Sequence, residues 1–176
     1  MHIPWRDSAP PKEFRTDRLT SLHGMYEVAV FLHILGGFVW IGGLLYLQSI
    51  WHRIILSDSD EAAKSLLDTI SWSGNRVIAP SAVVVLAAGI TMVSVSEAWA
   101  FSQLWVILAL VLFAVSAFGF GTWTDRLFAV ALAKLDDEGA SGTGYRTAAN
   151  RLIRVARVDG FVTITILALM VFKPGF

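Results

Sequence analysis

Apolar positions gather into four long stretches, and polar ones into the short segments between them. The first stretch, about Tyr26 to Trp51, is nearly unbroken and is long enough to cross a bilayer as one helix. Tyr26 and Trp51 stand at its ends, where amphipathic aromatics favour the headgroup region. The second runs from about Val77 to Val95, with Pro80 in its first turn, where a missing N–H is tolerated. The third, about Gln103 to Trp123, follows after so short a connection that it must return antiparallel to the second. The last is about residues 159–172, prolonged by the Arg-rich helical stretch before it and stopped at Lys173-Pro174-Gly175.

Between the first two stretches the pattern changes. Ser57 or Ser59 can cap a helix whose first turn holds Asp60 and Glu61, favourable against the helix dipole. Ala62, Ala63, Leu66, Leu67 and Ile70 then recur at helical spacing, which predicts a short amphipathic surface helix. Residues 1–24 read as a polar tail, and residues 136–144 as a flexible acidic, glycine-rich linker. The predicted fold class is therefore all-α: one domain, an integral membrane four-helix bundle with a surface helix between spans 1 and 2. The long first and third loops carry more Lys and Arg than the opposite side, so both termini are expected outside and loops 1 and 3 cytoplasmic, in a bacterial inner membrane.

Composition supports that class and removes others. Of 176 residues 55% are hydrophobic, well above a soluble domain. Fourteen basic residues balance fourteen acidic ones, and no basic face interleaved with aromatics lies outside the spans, so nucleic-acid binding has no support. There is no cysteine, which excludes disulfides, thiolate metal sites and cysteine nucleophiles. No GxGxxG, P-loop or HExxH pattern occurs. Redox chemistry would need a bound cofactor.

Inside the spans the chemistry narrows to few residues. His33 is the only histidine deep in any of them. An ionisable ring there is costly without a partner, so it marks a functional position or a hydrogen bond to another span. His33, Gly36, Gly37, Trp40, Gly43 and Leu47 fall on one helical stripe. The glycines either leave a slot for a bound group beside the imidazole or seat a neighbouring helix. No second histidine can face His33, but Met92 and Met170 fall at its depth and offer thioethers. On the cytoplasmic side Arg151, Arg154 and Arg157, with Arg146, suit anionic lipid or carboxylate groups or a positive-inside anchor, with Asp159 expected to pair with one of them.

The run His33, Trp40, Gly43, Leu44-Leu45-Tyr46-Leu47 and His52 resembles the first span of the HemJ-type protoporphyrinogen oxidases. Arg76, Pro80, Gly89 and Met92 look like their second span, and Met170-Val171-Phe172-Lys173-Pro174 like their terminus. The H-x6-W-x-G-G pattern is also similar to CopD-like copper-resistance proteins. The resemblance implies a small four-helix membrane protein binding haem b through His33, with Trp40 as pocket wall. Phe118-Gly119-Phe120-Gly121-Thr122-Trp123 stands where HemJ-type proteins carry histidine and tyrosine. Three readings follow. One is a haem-b-binding redox protein, with oxidoreductase activity on a hydrophobic substrate (a porphyrinogen or quinol) as its narrower form. Another is a non-catalytic accessory subunit, packed with other membrane subunits or as a homo-oligomer, in which His33 is structural. The third is copper handling through His33 and Met92.

Overall fold

A computed structural model describes the backbone of residues 12–55 and 59–174, and the side chains within 21–50 and 59–174. Every element among the described residues is helical: α1 (Lys12–Ile55), α2 (Asp60–Ser73), α3 (Ala79–Val95), α4 (Leu104–Ala114), α5 (Gly121–Glu138) and α6 (Thr143–Phe172). Two π-helical turns, Gly74–Ile78 and Val115–Phe120, join α2 to α3 and α4 to α5 without a break. Four continuous rods result, each long and apolar enough to cross a membrane: Ser21–Ile50, Asp60–Val95, Leu104–Glu138 and Thr143–Phe172.

The surface of these rods is what lipid requires and water would not tolerate. Phe38, Phe118 and Phe161 are 78%, 71% and 72% exposed. Their phenyl rings cannot be hydrated over the whole bundle circumference at acceptable cost, whereas acyl chains accept them. This is an integral membrane protein in contact with the bilayer.

Within the polar tail expected over residues 1–24, the backbone is helical from Lys12, as the start of α1. Pro10 and Pro11 lie just before it, and the next residues are helix formers with no further proline to stop them. Residues 1–11 lie outside the described set. At about 1.5 Å per residue, the 44 residues of α1 extend well past a bilayer core of about 30 Å.

The amphipathic stretch is the helix α2, capped by Ser59, whose Oγ accepts from Ala62 N–H. It runs into the second span rather than ending before it. Gly74 stays helical, and the wider turn that follows lets Ala79 N–H reach back to Gly74 O just ahead of Pro80. Ala63, Leu67 and Ile70 are buried, in one cluster with Leu127 and Leu135 of α5 and Tyr145, Ala149 and Leu152 of α6. Together they form a packed layer at the loop end of the bundle.

The expected 136–144 linker reduces to a turn between Glu138 and Thr143, because α5 continues through the acidic residues. Asp60 at the start of α2 accepts Ala140 N–H at 2.6 Å, and Glu138 accepts Gly144 N–H at 2.7 Å and a Lys134 ammonium bond at 3.0 Å. Gly139 closes α5 at φ 72°, ψ 175°, a conformation that only glycine adopts without strain.

In the membrane, α1 packs along α3 and also against α6, and α6 packs against α4. Gly36 and Gly43 make the first contact close. A Cβ at Gly36 would meet Val85 Cγ2 at 3.0 Å, and one at Gly43 would meet Ile78 Cγ1 at 3.1 Å. α3 and α4 run antiparallel, as the short connection requires, yet stand apart below it. That gap opens the bundle interior at the end where Tyr26 and Lys173 lie.

Candidate functional site

Apolar side chains from all four rods leave a cavity of about 240 Å³ in the half of the bundle nearer the described termini. Tyr26 and His33 of α1, residues from Val85 to Val93 of α3, Trp105 to Phe113 of α4, and Ile166 and Met170 of α6 line it. Ile90 and Leu110 line it and are also exposed on the bundle surface, so its open side lies between α3 and α4. Trp40 is 5% exposed and meets Phe113, ring centroids 5.2 Å apart, with Phe113 itself a wall of the cavity.

His33 enters this space in a fixed state. Its Nδ1 donates to Val85 O at 2.9 Å, with Gly89 supplying the room: a Cβ there would meet His33 Cε1 at 3.1 Å. A main-chain carbonyl can only accept, so Nδ1 carries a proton, and in the neutral ring Nε2 is the nitrogen left to accept or to ligate. The ring is thereby an interhelical strut whose second nitrogen is not used in that bond.

The connection from Ser96 to Gln103 shapes the mouth. Ser96 Oγ accepts Ala98 N–H at 3.1 Å, and the Gln103 amide folds back to accept Ala100 N–H at 3.3 Å. This holds Trp99 edge-on to Trp105, centroids 5.4 Å apart. Lys173 ends α6 at φ 43°, the left-handed form common after a helix C-terminus, and its ammonium lies 4.0 Å from the Trp99 ring centroid and 5.9 Å from that of Trp105. No carboxylate pairs with Lys173 among the described residues. Trp105 is 9% exposed, and its indole N–H is buried without an acceptor.

The residues singled out from sequence divide between several places. His33, Met92 and Met170 come together as cavity walls. Gly36 is filled by Val85, Val84 and Ser81 of the second span, so it seats α3 rather than leaving a slot. Gly37 faces open space. Trp40 lies behind Phe113. Arg151, Arg154 and Arg157 are exposed along α6, away from the cavity lining. Asp159 does not pair with an arginine among the described residues; its carboxylate accepts from Ser116 Oγ at 2.6 Å, and its carbonyl from Thr163 Oγ1 at 2.9 Å. The π-helical turn at Val115–Phe120 carries that serine. Gln48 adds a third cross-link, donating to Ala156 O at 2.8 Å above Gly160. The side chain of His52 lies outside the described set. Among the described residues no group of three or more His, Asp or Glu is placed to hold a metal ion.

Sequence reasoning passed over Trp105 and the site role of Lys173. The signal was three aromatic residues, Trp99, Phe101 and Trp105, within seven positions at a span boundary. That pattern also reads as an interfacial belt.

A family model matches residues 27–174, from the start of the first span to the proline after the last. The chain belongs to the family of predicted integral membrane proteins DUF2269. The match covers the last three membrane rods and the first from Glu27 onward, with every cavity-lining residue except Tyr26, so nearly all of the site lies inside the region that defines the DUF2269 family. No curated protein and no solved structure matches the chain.

Proposed function

We propose that this DUF2269 protein is a membrane redox protein holding haem b in the cavity through His33. The observation that carries the reading is the 2.9 Å bond from His33 Nδ1 to Val85 O. A metal-binding imidazole characteristically gives its other N–H to a carbonyl or carboxylate, which orients the ring and raises the basicity of the ligating nitrogen. The first-span resemblance to HemJ-type proteins supports the same residue.

The donor set fits the group: a neutral imidazole with Nε2 free, and thioethers of Met92 and Met170 on other walls of the same cavity. The volume fits only in part. At about 240 Å³ the space is below the roughly 300–1,000 Å³ of sites that enclose a drug-sized ligand. A porphyrin would therefore occupy the opening between α3 and α4 as well, with one edge in lipid. Haem, when bound, supplies one-electron transfer. The chain's own residues hold it by His33, exclude water with Leu86, Val106 and Phe113, and leave the lipid side open to a hydrophobic partner such as a quinol or porphyrinogen. With the termini outside, the site sits in the outer half of a bacterial inner membrane.

The absorption spectrum of protein purified from haem-supplemented cells tests this. A Soret band with a reduced α-band, lost in His33→Ala and kept in Gly37→Ala, is the expected result. Colourless protein that also fails to take up added haem would refute it. Elemental analysis of the same sample decides the copper reading, in which His33 and Met92 are the donors.

A second reading has its own observation. Gly36, Gly43 and Gly89 all sit against the facing helix or its imidazole, so His33 also acts as a strut in a tightly packed α1–α3 pair. A purely structural His33 in an accessory subunit predicts that His33→Gln, which restores a donor, keeps full stability, and that the protein co-purifies with stoichiometric partners.

A further inference from the structure

We propose that the mouth of the cavity is a carboxylate-binding subsite, formed by Lys173 and the indole N–H of Trp105, so that the occupant is a hydrophobic molecule with an acid head at the termini end. The inference rests on the reading that the cavity holds a ligand, but not on that ligand being haem.

Two observations meet here. Trp105 is buried, it lines the cavity, and its N–H finds no acceptor. A buried donor without a partner costs about 1–3 kcal/mol, and of the two such groups among the described residues, Trp105 and Tyr145, only Trp105 lines the cavity, where a ligand can bring the acceptor. Lys173 is the second. It lines the same cavity, and its ammonium lies against the indoles of Trp99 and Trp105. Aromatic faces hold a cation but leave its charge uncompensated. No carboxylate of the described residues reaches it. The left-handed backbone of Lys173, the one described non-glycine residue with positive φ, turns the chain at the position where this side chain is delivered to the mouth.

The ligand chemistry follows from these groups. An indole N–H and an ammonium are both donors, so the head must accept. A carboxylate accepts both at once and neutralises the lysine, whereas an alcohol or ester leaves the charge unmatched. The rest of the lining is aliphatic and aromatic apart from His33, so the body is apolar. The propionates of a haem and the head of a long-chain fatty acid share this chemistry.

Paired ligands that differ only in the acid separate the sources. Haem b and its dimethyl ester are titrated by Soret absorbance into purified protein in neutral detergent. Brominated palmitic acid and brominated palmityl alcohol are titrated by quenching of tryptophan fluorescence. Lys173→Gln, Lys173→Arg and Trp105→Phe are compared with wild type after monodisperse elution and helical circular dichroism establish their fold. The subsite predicts that one acid binds about tenfold or more tightly than its neutral analogue, consistent with a charge-assisted hydrogen bond. Lys173→Gln abolishes that preference, Trp105→Phe reduces it, and Lys173→Arg keeps it. If neither haem form binds but the fatty acid is preferred over its alcohol in a Lys173-dependent way, the subsite stands and the haem reading falls. If haem and its ester bind equally and both need His33, the haem reading stands and the subsite is overturned. Equal binding within both pairs, or a preference for the acid that survives Lys173→Gln, also overturns it.

Discussion

Adjacent glycines on α1 give a paired test of the packing that forms the cavity wall. A methyl at Gly36 would lie 3.0 Å from Val85 Cγ2, 3.3 Å from Val84 Cγ1 and 3.3 Å from Ser81 O. Carbon atoms in favourable contact sit about 3.5–4.0 Å apart, so α1 and α3 must separate by about half an ångström. Ser81 O is main chain and cannot rotate away. Overpacking of this kind costs about 1–3 kcal/mol. A methyl at Gly37 meets nothing within 4 Å. There the helix gains from replacing glycine, by up to about 1 kcal/mol. The expected result is thus a difference of about 1–4 kcal/mol between Gly36→Ala and Gly37→Ala, in opposite directions from wild type. Equilibrium unfolding by dodecyl sulfate in mixed micelles, followed by tryptophan fluorescence, measures it. Equal loss of stability in both variants would refute the α1–α3 register, because one rotation of α1 would then bring Gly37 against a neighbour.

Two further substitutions probe other parts of the bundle. Trp40→Ala removes a ring that is 5% exposed and packed on Phe113, and should cost about 3–5 kcal/mol in the same unfolding assay. Gly139→Ala should cost about 1–3 kcal/mol, since φ 72°, ψ 175° is a glycine conformation and the new methyl would come within 3.0 Å of Asp60 Oδ1; proteolysis at the 139–142 turn, faster in the variant, reports where the loss falls.

The first three membrane rods were legible because each signal is long, about twenty apolar positions, and the shorter last stretch was legible because the helical pattern before it prolongs it. His33 was legible because a titratable ring in hydrocarbon is rare enough to stand out alone. Its partner was not. Val85 contributes a carbonyl, which every residue has, so only the register of α3 on α1 selects it. Gly89 makes the same point from the other side: its missing side chain is space for the imidazole, and the sequence shows a glycine without showing what fills it. The turn after α5 misled by composition. Asp136-Asp137-Glu138-Gly139-Ala140-Ser141-Gly142 looks loose when read locally, yet its anchors include Asp60, eighty positions away from Ala140. Asp159 was expected to answer an arginine because charges near a membrane boundary usually do. A serine on the facing π-helical turn reaches it instead.

These cross-links distribute stiffness unevenly along the bundle, and the cavity follows from that. Toward the loop end, Gln48 ties α1 to α6 and Ser116 ties the third rod to α6. The cluster around Leu67, Tyr145 and Leu152 packs the extramembrane ends of three rods together. Toward the termini end the His33 side chain makes a hydrogen bond between rods, and it joins α1 only to α3. The third rod is held there chiefly by α6 and by the short connection to α3. A bundle fastened at one end and linked pairwise at the other parts most easily between α3 and α4, where the hairpin gives no packed interface. Binding there leaves the cross-links of His33, Gln48 and Ser116 intact, since these join other pairs of rods. Trp105, Lys173 and His33 border the region that can widen without loss, whereas the other buried group without a partner among the described residues, the Tyr145 hydroxyl, lies in the packed cluster at the far end. A ligand that bridges His33 on α1 and Trp105 on α4 would therefore do at the termini end what Gln48 and Ser116 do at the other, and its binding should stiffen α4 more than any other helix.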